Sequence, residues 1–184
     1  MEPNDRDLID DMNDGPPASD KAFEVLYARH AAWGLRVAAR MTPDHGAARD
    51  VVQQAFLAFL EQFPGFRLRG ELRSWLYQTI RFRALAEGRR ARIRLHRHDA
   101  ERSEAEAEPS TDDYSVLRAA VEDLEPRLRE VLLMRVVDEM SVEATAAALG
   151  IPSGTVKSRL HRALRELRVS DGLEELFSES RPEP

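Results

Sequence analysis

The sequence predicts an all-α protein: two small helical domains joined by a flexible acidic linker. Three observations carry that expectation. Apolar residues recur at helical spacing in two blocks, from about Asp20 to Leu95 and from about Ser115 to Val169. Between them, His98 to Asp113 is rich in Asp, Glu, Ser and Ala, includes Pro109 and lacks large apolar side chains, so it cannot bury enough surface to fold alone. Charged residues make up 33% of the chain, which suits well-solvated helices. The expected division is a disordered acidic arm (1–19), a first domain (20–97), a linker (98–114), a second domain (115–169) and an acidic tail (170–184).

Each element follows from local pattern. The arm is polar and contains Gly15-Pro16-Pro17. Ala22, Phe23, Leu26 and Tyr27 open the first helical run, followed by Trp33, Leu35 and Val37. Thr42-Pro43-Asp44 breaks that run and can start the next helix. Val51, Val52, Ala55, Phe56, Phe59, Leu60 and Phe63 then form one wide apolar stripe, ended by Pro64-Gly65. A basic loop from Arg67 to Gly70 leads into a helix running through Trp75, Leu76, Thr79 and Ile80 to about Arg94. In the second domain Val116, Leu117, Ala120, Val121 and Leu124 start a helical cluster, and Pro126 suits the first turn of the next helix, through Leu128, Val131, Leu132 and Val136. Ser141 is the expected N-cap of a short helix to Leu149, Gly150-Ile151-Pro152 is the turn, and a last helix runs to about Val169.

Composition excludes several classes. The chain has no cysteine, so disulfides, cysteine-based zinc sites and thiol catalysis are out, in keeping with a reducing, cytoplasmic setting. No apolar run approaches the roughly 20 residues a membrane helix needs, and the polar start, MEPNDRDLIDDMNDG, is no signal peptide. There is no phosphate-binding glycine loop and no His-Glu-x-x-His. Of the five histidines only His96 and His98 stand close together, a poor metal site. No cofactor, metal or small-molecule substrate is expected. The net charge of −6 hides a segregated distribution. Residues 67–98 carry ten arginines against Glu71 and Glu87, and residues 141–169 carry five bases against two acids. Acidic segments surround both blocks, a pattern that suits a nucleic-acid binder better than the total does.

The sharpest motif is Ser141 to Leu160. Small Ala146 and Ala147 allow a short helix to pack closely on a second, and Gly150 permits the left-handed backbone of a tight helix end. In the second helix Val156, Leu160, Ala163, Leu164 and Leu167 share an expected core face, while Lys157, Ser158, His161, Arg162 and Arg165 lie opposite, as a helix entering the major groove requires. An ordinary helical hairpin with a basic solvated face has the same periodicity. The wording goes further: Leu149-Gly150-Ile151-Pro152-Ser153-Gly154-Thr155-Val156-Lys157-Ser158-Arg159-Leu160-His161-Arg162-Ala163 closely resembles the promoter-reading helix-turn-helix, region 4, of extracytoplasmic-function sigma factors of bacterial RNA polymerase. The preceding Leu124-Glu125-Pro126-Arg127-Leu128-Arg129-Glu130-Val131 is similar to that family's Leu-Pro…Arg-Glu-Val opening, with the proline one place later. Ala144-Thr145-Ala146 stands where the family often has Glu-Ile-Ala. The resemblance implies −35 contacts from Ser153, Thr155, Lys157, Ser158, Arg159, His161 and Arg162.

Two further segments resemble region 2 of the same family. Ala48-Arg49-Asp50-Val51-Val52-Gln53-Gln54-Ala55-Phe56-Leu57 is similar to its Ala-Glu-Asp-Val…Gln…Phe helix, with Arg49 in place of glutamate. This implies core-polymerase binding by Asp50, Gln53 and Gln54. Ser74-Trp75-Leu76-Tyr77-Gln78-Thr79-Ile80-Arg81, followed by Arg89-Arg90, resembles the stretch that opens the promoter and holds the separated strand. Arginines for phosphates and aromatics for bases fit that task. The implied −10 residues are Arg67, Arg69, Tyr77, Arg81, Phe82, Arg89 and Arg90. Trp75 and Tyr77 cannot both face the same way, and Trp75 is expected in the core. Phe82 and Ala86 replace the asparagine and aspartate common in the family, which predicts looser −10 discrimination.

The resemblance thus implies an initiation factor rather than an enzyme. Its partners would be core RNA polymerase, promoter DNA and an anti-sigma factor, with no direct membrane insertion. The acidic linker would run toward the RNA exit path. Two other readings stay open at this point: a helix-turn-helix regulator that binds duplex DNA unaided, and an adaptor that binds polymerase or an anti-sigma factor without reading DNA.

Overall fold

A computed structural model describes residues 3–97 and 113–169. Among the described residues there are helices and no strand. The chain forms two compact units. The first is built from α1 (Asp5–Asn13), α2 (Ala18–Ala39), α3 (His45–Leu60) and α4 (Leu72–Arg97). The second is built from α5 (Asp113–Asp123), α6 (Pro126–Leu132), α7 (Val142–Leu149) and α8 (Ser153–Arg168). Residues 98–112 of the expected linker and the expected tail lie outside the described residues, and α5 starts inside the predicted linker.

The expected disordered arm is corrected. Asn4 caps α1, its side chain accepting from the amides of Arg6 (2.8 Å) and Asp7 (3.1 Å), while Asp7 accepts in return from the Asn4 amide. Leu8, Ile9 and Met12 are buried on one face of this helix, which packs on α2. The count of acids concealed that short stripe. Two polar ties complete the docking. Asp5 accepts from Arg29 at 2.6 Å and meets His30 Nε2 at 2.8 Å. Asn13 donates to the Phe66 carbonyl at 3.0 Å and accepts from the Gly65 amide at 2.6 Å. Burial alone would raise the Asp5 pKa; the hydrogen bonds from His30 and Arg29 outweigh it and hold the carboxyl below its ordinary value.

Aromatic rings cluster where α3, the loop after it and α4 meet: Phe59 lies 5.2 Å from Phe63, 5.5 Å from Phe66 and 5.5 Å from Trp75. Asp44 caps α3 by accepting from the Ala47 amide at 2.8 Å, as the break at Thr42–Asp44 predicts. Val51, Val52, Ala55, Phe56 and Phe59 are buried; Leu60, expected with them, is 37% exposed because the helix ends there. Gly34 of α2 lets α3 and α4 approach: a Cβ there would lie 3.3 Å from Ile80 Cδ1 and 3.7 Å from the Val52 methyls.

In the second unit Leu124, Leu128, Leu132, Ala163 and Leu167 form an aliphatic core, flanked by Val116, Ala120, Val121 and Leu160. Pro126 begins α6 as predicted, and Arg129 closes α5 by donating to the carbonyls of Val121, Glu122 and Leu124. Past α6 the chain makes a π turn, Leu133–Val137, in which the Asp138 amide donates to the Leu133 carbonyl at 2.9 Å. The wider turn carries one more residue than an α turn and so rotates its later side chains about the helix axis. Within it Met134 is buried, and Val136, expected in the core, is 58% exposed.

Candidate nucleic-acid interface

The helix-turn-helix forms as its sequence dictates. Ser141 caps α7, accepting from the Ala144 amide at 2.9 Å. Gly150 ends it at φ 65°, in the left-handed region, and the Ile151 amide donates to the Ala146 carbonyl at 3.1 Å. α8 then separates its faces. Val156, Ala163 and Leu167 are buried and Leu160 is half-buried. Leu164, expected beside them, is 41% exposed and leaves the core stripe. Lys157, Ser158, His161, Arg162 and Arg165 are exposed; Ser153, Thr155 and Arg159 are half-buried at the flank. The Ser158 hydroxyl donates to the Thr155 carbonyl (3.1 Å), and Arg162 Nε donates to Glu166 Oε1 (2.8 Å). That bond and the charge of Glu166 raise the Arg162 pKa further.

In the first unit, Asp50 and Gln53 are exposed on α3 and Gln54 is half-buried. Leu57, 58% exposed, follows Gln53 by one turn, and beside it lies a groove of about 330 Å³ lined by Phe23, Tyr27, Gln53, Phe56, Leu57 and Leu60. The sequence reading missed this apolar flank of the polar site. Its signal was present: Leu57 and Leu60 fall at helical spacing from Asp50 and Gln53.

Arg67 and Arg69 are exposed on the loop before α4. α4 buries Leu72, Leu76, Tyr77, Ile80 and Ala84. Trp75 is only half-buried, its ring 5.5 Å from that of Phe59 and 6.0 Å from that of Phe66. Arg81 and Phe82 are exposed, Phe82 to 70%. The α4 backbone continues without a break through positions 89 and 90, whose side chains lie outside the described residues. Among the described residues no cluster of potential metal ligands occurs, and no helix is long and apolar enough to cross a membrane.

Comparison with known proteins decides the family. The sigma-70 region 2 family matches residues 26–94, and the sigma-70 region 4 family matches residues 114–167. The RNA polymerase sigma-E factor of Streptomyces avermitilis is 34% identical over 137 residues, 73% of this chain and 76% of that protein. The ECF RNA polymerase sigma factor SigL of Mycobacterium tuberculosis is 33% identical over 165 residues, 85% of this chain and 93% of that protein. The chain belongs to the ECF RNA polymerase sigma factor family. It is a sigma factor that directs transcription initiation. In fold it is similar to CnrH, solved in complex with the cytosolic domain of CnrY, with a TM-score of 0.63 at 23% identity over 96% of this chain and 99% of that one. It is also similar to the sigma factor RpoE of Bartonella quintana, solved with the anti-sigma factor NepR, with a TM-score of 0.61 at 22% identity over 88% of this chain and 99% of that one.

Within this sigma factor, the residues expected to meet DNA divide unevenly. The exposed face of α8 gathers Lys157, Ser158, His161 and Arg162 as predicted. On α4 one assignment is overturned: Tyr77 is 1% exposed and belongs to the core, whereas Trp75 sits at its edge. Tyr77 shares the stripe of Leu76, Ile80 and Ala84, which spacing alone could have shown. A base cannot reach its ring without opening the unit.

Proposed function

We propose a division of labour between the two units. The first docks on core polymerase through Asp50 and Gln53 of α3 and the apolar groove beside them, and holds the opened −10 region along the Arg67–Gly70 loop and α4. In the second, α8 enters the major groove at the −35 element, where Lys157, Ser158, His161 and Arg162 meet base edges and Arg159 meets phosphate. The observation that carries this reading is the separation of faces on α8, with Val156, Ala163 and Leu167 inward and its donors outward, in a chain that also bears the polar and apolar α3 surface. A unit that only bound duplex DNA would have no use for the latter.

The protein acts by binding, not by catalysing a covalent reaction of its own, and works in the cytoplasm, where its polymerase and promoters are. An anti-sigma factor is the proposed inhibitory partner, supported by the fold likeness to a sigma factor solved with an anti-sigma factor. The remainder of the linker, acidic in sequence, is proposed to run toward the RNA exit path.

The test is transcription in vitro by core polymerase with and without this protein, with the 5′ ends of the transcripts sequenced. Initiation at a limited promoter set, dependent on the protein, supports the reading. Tight, specific promoter binding in the absence of polymerase would favour an unaided regulator. Replacing Asp50 and Gln53 together by alanine is expected to weaken core binding with helix content unchanged; an unaltered affinity removes the α3 docking site.

A further inference from the structure

We propose that Asn13 of α1 is a positioning residue for promoter opening: its carboxamide fixes the Gly65–Phe66 backbone and thereby sets where Arg67 and Arg69 meet the phosphates of the opened −10 strand. The inference rests on the proposed role of the Arg67–Gly70 loop. Asn13 is half-buried at the end of α1. Its Nδ2 donates to the Phe66 carbonyl at 3.0 Å and to the Ile9 carbonyl at 3.0 Å, and its Oδ1 accepts from the Gly65 amide at 2.6 Å. Both N–H donors and the oxygen of the carboxamide are thus in use. The bond to Ile9, one turn back in the same helix, aims the group, and the other two hold the loop.

The loop needs such a tie. Gly65 and Gly70 bracket it at φ 103° and 93°, a backbone region that glycine enters at no steric cost. Among the described residues, the backbone of positions 64–70 makes no hydrogen bond to other backbone. The Phe66 ring is seated 5.5 Å from that of Phe59 and 6.0 Å from that of Trp75, which anchors the side chain but leaves the peptides on either side of it free to rotate. Asn13 removes that freedom. Between the glycines the exposure alternates. Arg67 and Arg69 are exposed, while Leu68 is half-buried and borders a cleft that Asn4, Asp5 and Arg6 also line. Such alternation belongs to extended backbone, whose successive side chains point to opposite sides. Rotation after Phe66 would exchange the two sides, bring Leu68 out and take both guanidinium groups off the strand. Asn13 touches no DNA itself and acts through the loop it holds.

Two readouts test this. In the free protein, trypsin cuts after Arg67 and Arg69 when the loop opens locally. Asn13→Ala is expected to speed those two cuts on the order of 10-fold, the effect of losing the hydrogen bonds that hold the loop. In the holoenzyme, open-complex formation is measured against salt concentration. Losing one phosphate contact to a single strand should flatten the slope by about 0.7, and losing two by about 1.4. Asn13→Ala should flatten it within that range, as Arg67→Ala with Arg69→Ala does, and adding Asn13→Ala to the arginine pair should change it no further. Asn13→Asp has the same shape and keeps an acceptor for Gly65, but sets an oxygen against the Phe66 carbonyl. It should behave as Asn13→Ala does, and it serves as the test where the alanine variant fails to fold. Val37→Ala removes buried volume from α2 away from the loop; it should lower stability and leave the slope unchanged. The proposal is overturned if both Asn13 variants keep the natural cleavage rate or the natural slope, or if Val37→Ala flattens the slope equally. It is also overturned if Asn13→Ala flattens the slope further without the two arginines, or weakens binding to core polymerase in the absence of DNA. An arginine pair whose removal leaves initiation unaltered would instead overturn the reading of the loop on which the proposal rests; faster cleavage in Asn13→Ala would then still report the tie.

Discussion

α8 and α4 are both basic helices, yet they are organised differently. α8 keeps its apolar side chains inward at Val156, Ala163 and Leu167 and its donors outward at Lys157, Ser158, His161 and Arg162. α4 also buries a stripe but places Phe82 and Leu85 outside with Arg81. A groove of paired bases presents donors, acceptors and phosphates, so a helix that reads it needs polar groups on its free face. Separated bases add apolar faces, so a helix that holds them gains from exposed rings. The division is one of degree: the outer surface of α8 carries one large apolar side chain, Leu164, beside its donors, whereas that of α4 carries two, Phe82 and Leu85.

The sharpest way to break this contrast is at Tyr77. Tyr77→Ala should destabilise the first unit by about 3–5 kcal/mol, as expected for removing a buried aromatic ring, read as an earlier melt in urea. A variant that folds as stably as the natural protein but fails only in promoter opening would return Tyr77 to the strand-holding surface. On α8, Arg162→Ala should cost roughly 1–3 kcal/mol at its own base pair and relax preference there. Arg159→Ala should instead weaken all sequences alike and reduce the salt slope by about 1. Promoter binding by holoenzyme across single −35 substitutions separates the two. A uniform loss for Arg162→Ala would mean that the reading face is rotated.

The tie made by the Asp5 carboxylate responds to pH. Because folding holds the Asp5 carboxyl below its ordinary pKa, its stabilisation is complete above the ordinary carboxylate range and declines as pH falls through that range toward the folded value. Asp5→Asn should therefore lower stability at neutral pH by about 1–2 kcal/mol, a charge-assisted pair discounted for partial exposure. The loss should shrink as the medium is acidified. Thermal melts from pH 7 downward check this, and a constant difference would show that the carboxylate charge is not what matters. The smallest effect is at the second unit's cap: Ser141→Ala should cost about 1 kcal/mol, measured by urea melts, with α7 fraying first.

Most of the second unit was legible because its signals are local. Ser141 determines a helix end through its side-chain hydroxyl, Gly150 and Pro126 through their backbone chemistry, and the structure places the ends there. Val136 and Leu164 were misjudged for physical reasons. Val136 lies inside the π turn, which changes the helical period, and Leu164 lies at the edge of a stripe centred on Val156, Ala163 and Leu167. In the first unit the misreadings have a longer-range origin. The acids of α1 look disordered until Arg29, His30 and the Gly65–Phe66 backbone are brought to them. Trp75 reads as core by size, but its neighbours Phe59 and Phe66 support it at the rim while Tyr77 takes the interior. Asp50 and Gln53, proposed for docking, were visible as polar groups on a helix, whereas the groove beside them exists only once α2 brings Phe23 and Tyr27 alongside.

The contacts of Asn13 also set an order of events on the ribosome. α1 is made first, but Asn13 has no partner from the rest of the unit until Gly65 and Phe66 are added, 52 and 53 positions later. At about 5–20 residues per second that is a delay of roughly 3–10 s after α1 is complete. During it the nascent helix carries Leu8, Ile9 and Met12 without their finished cover. Tyr77 and Ile80, which complete the interior, are made later still. The first unit is therefore a structure that closes from its far end, and a pause in synthesis before residue 80 would leave its apolar helices open to chaperones.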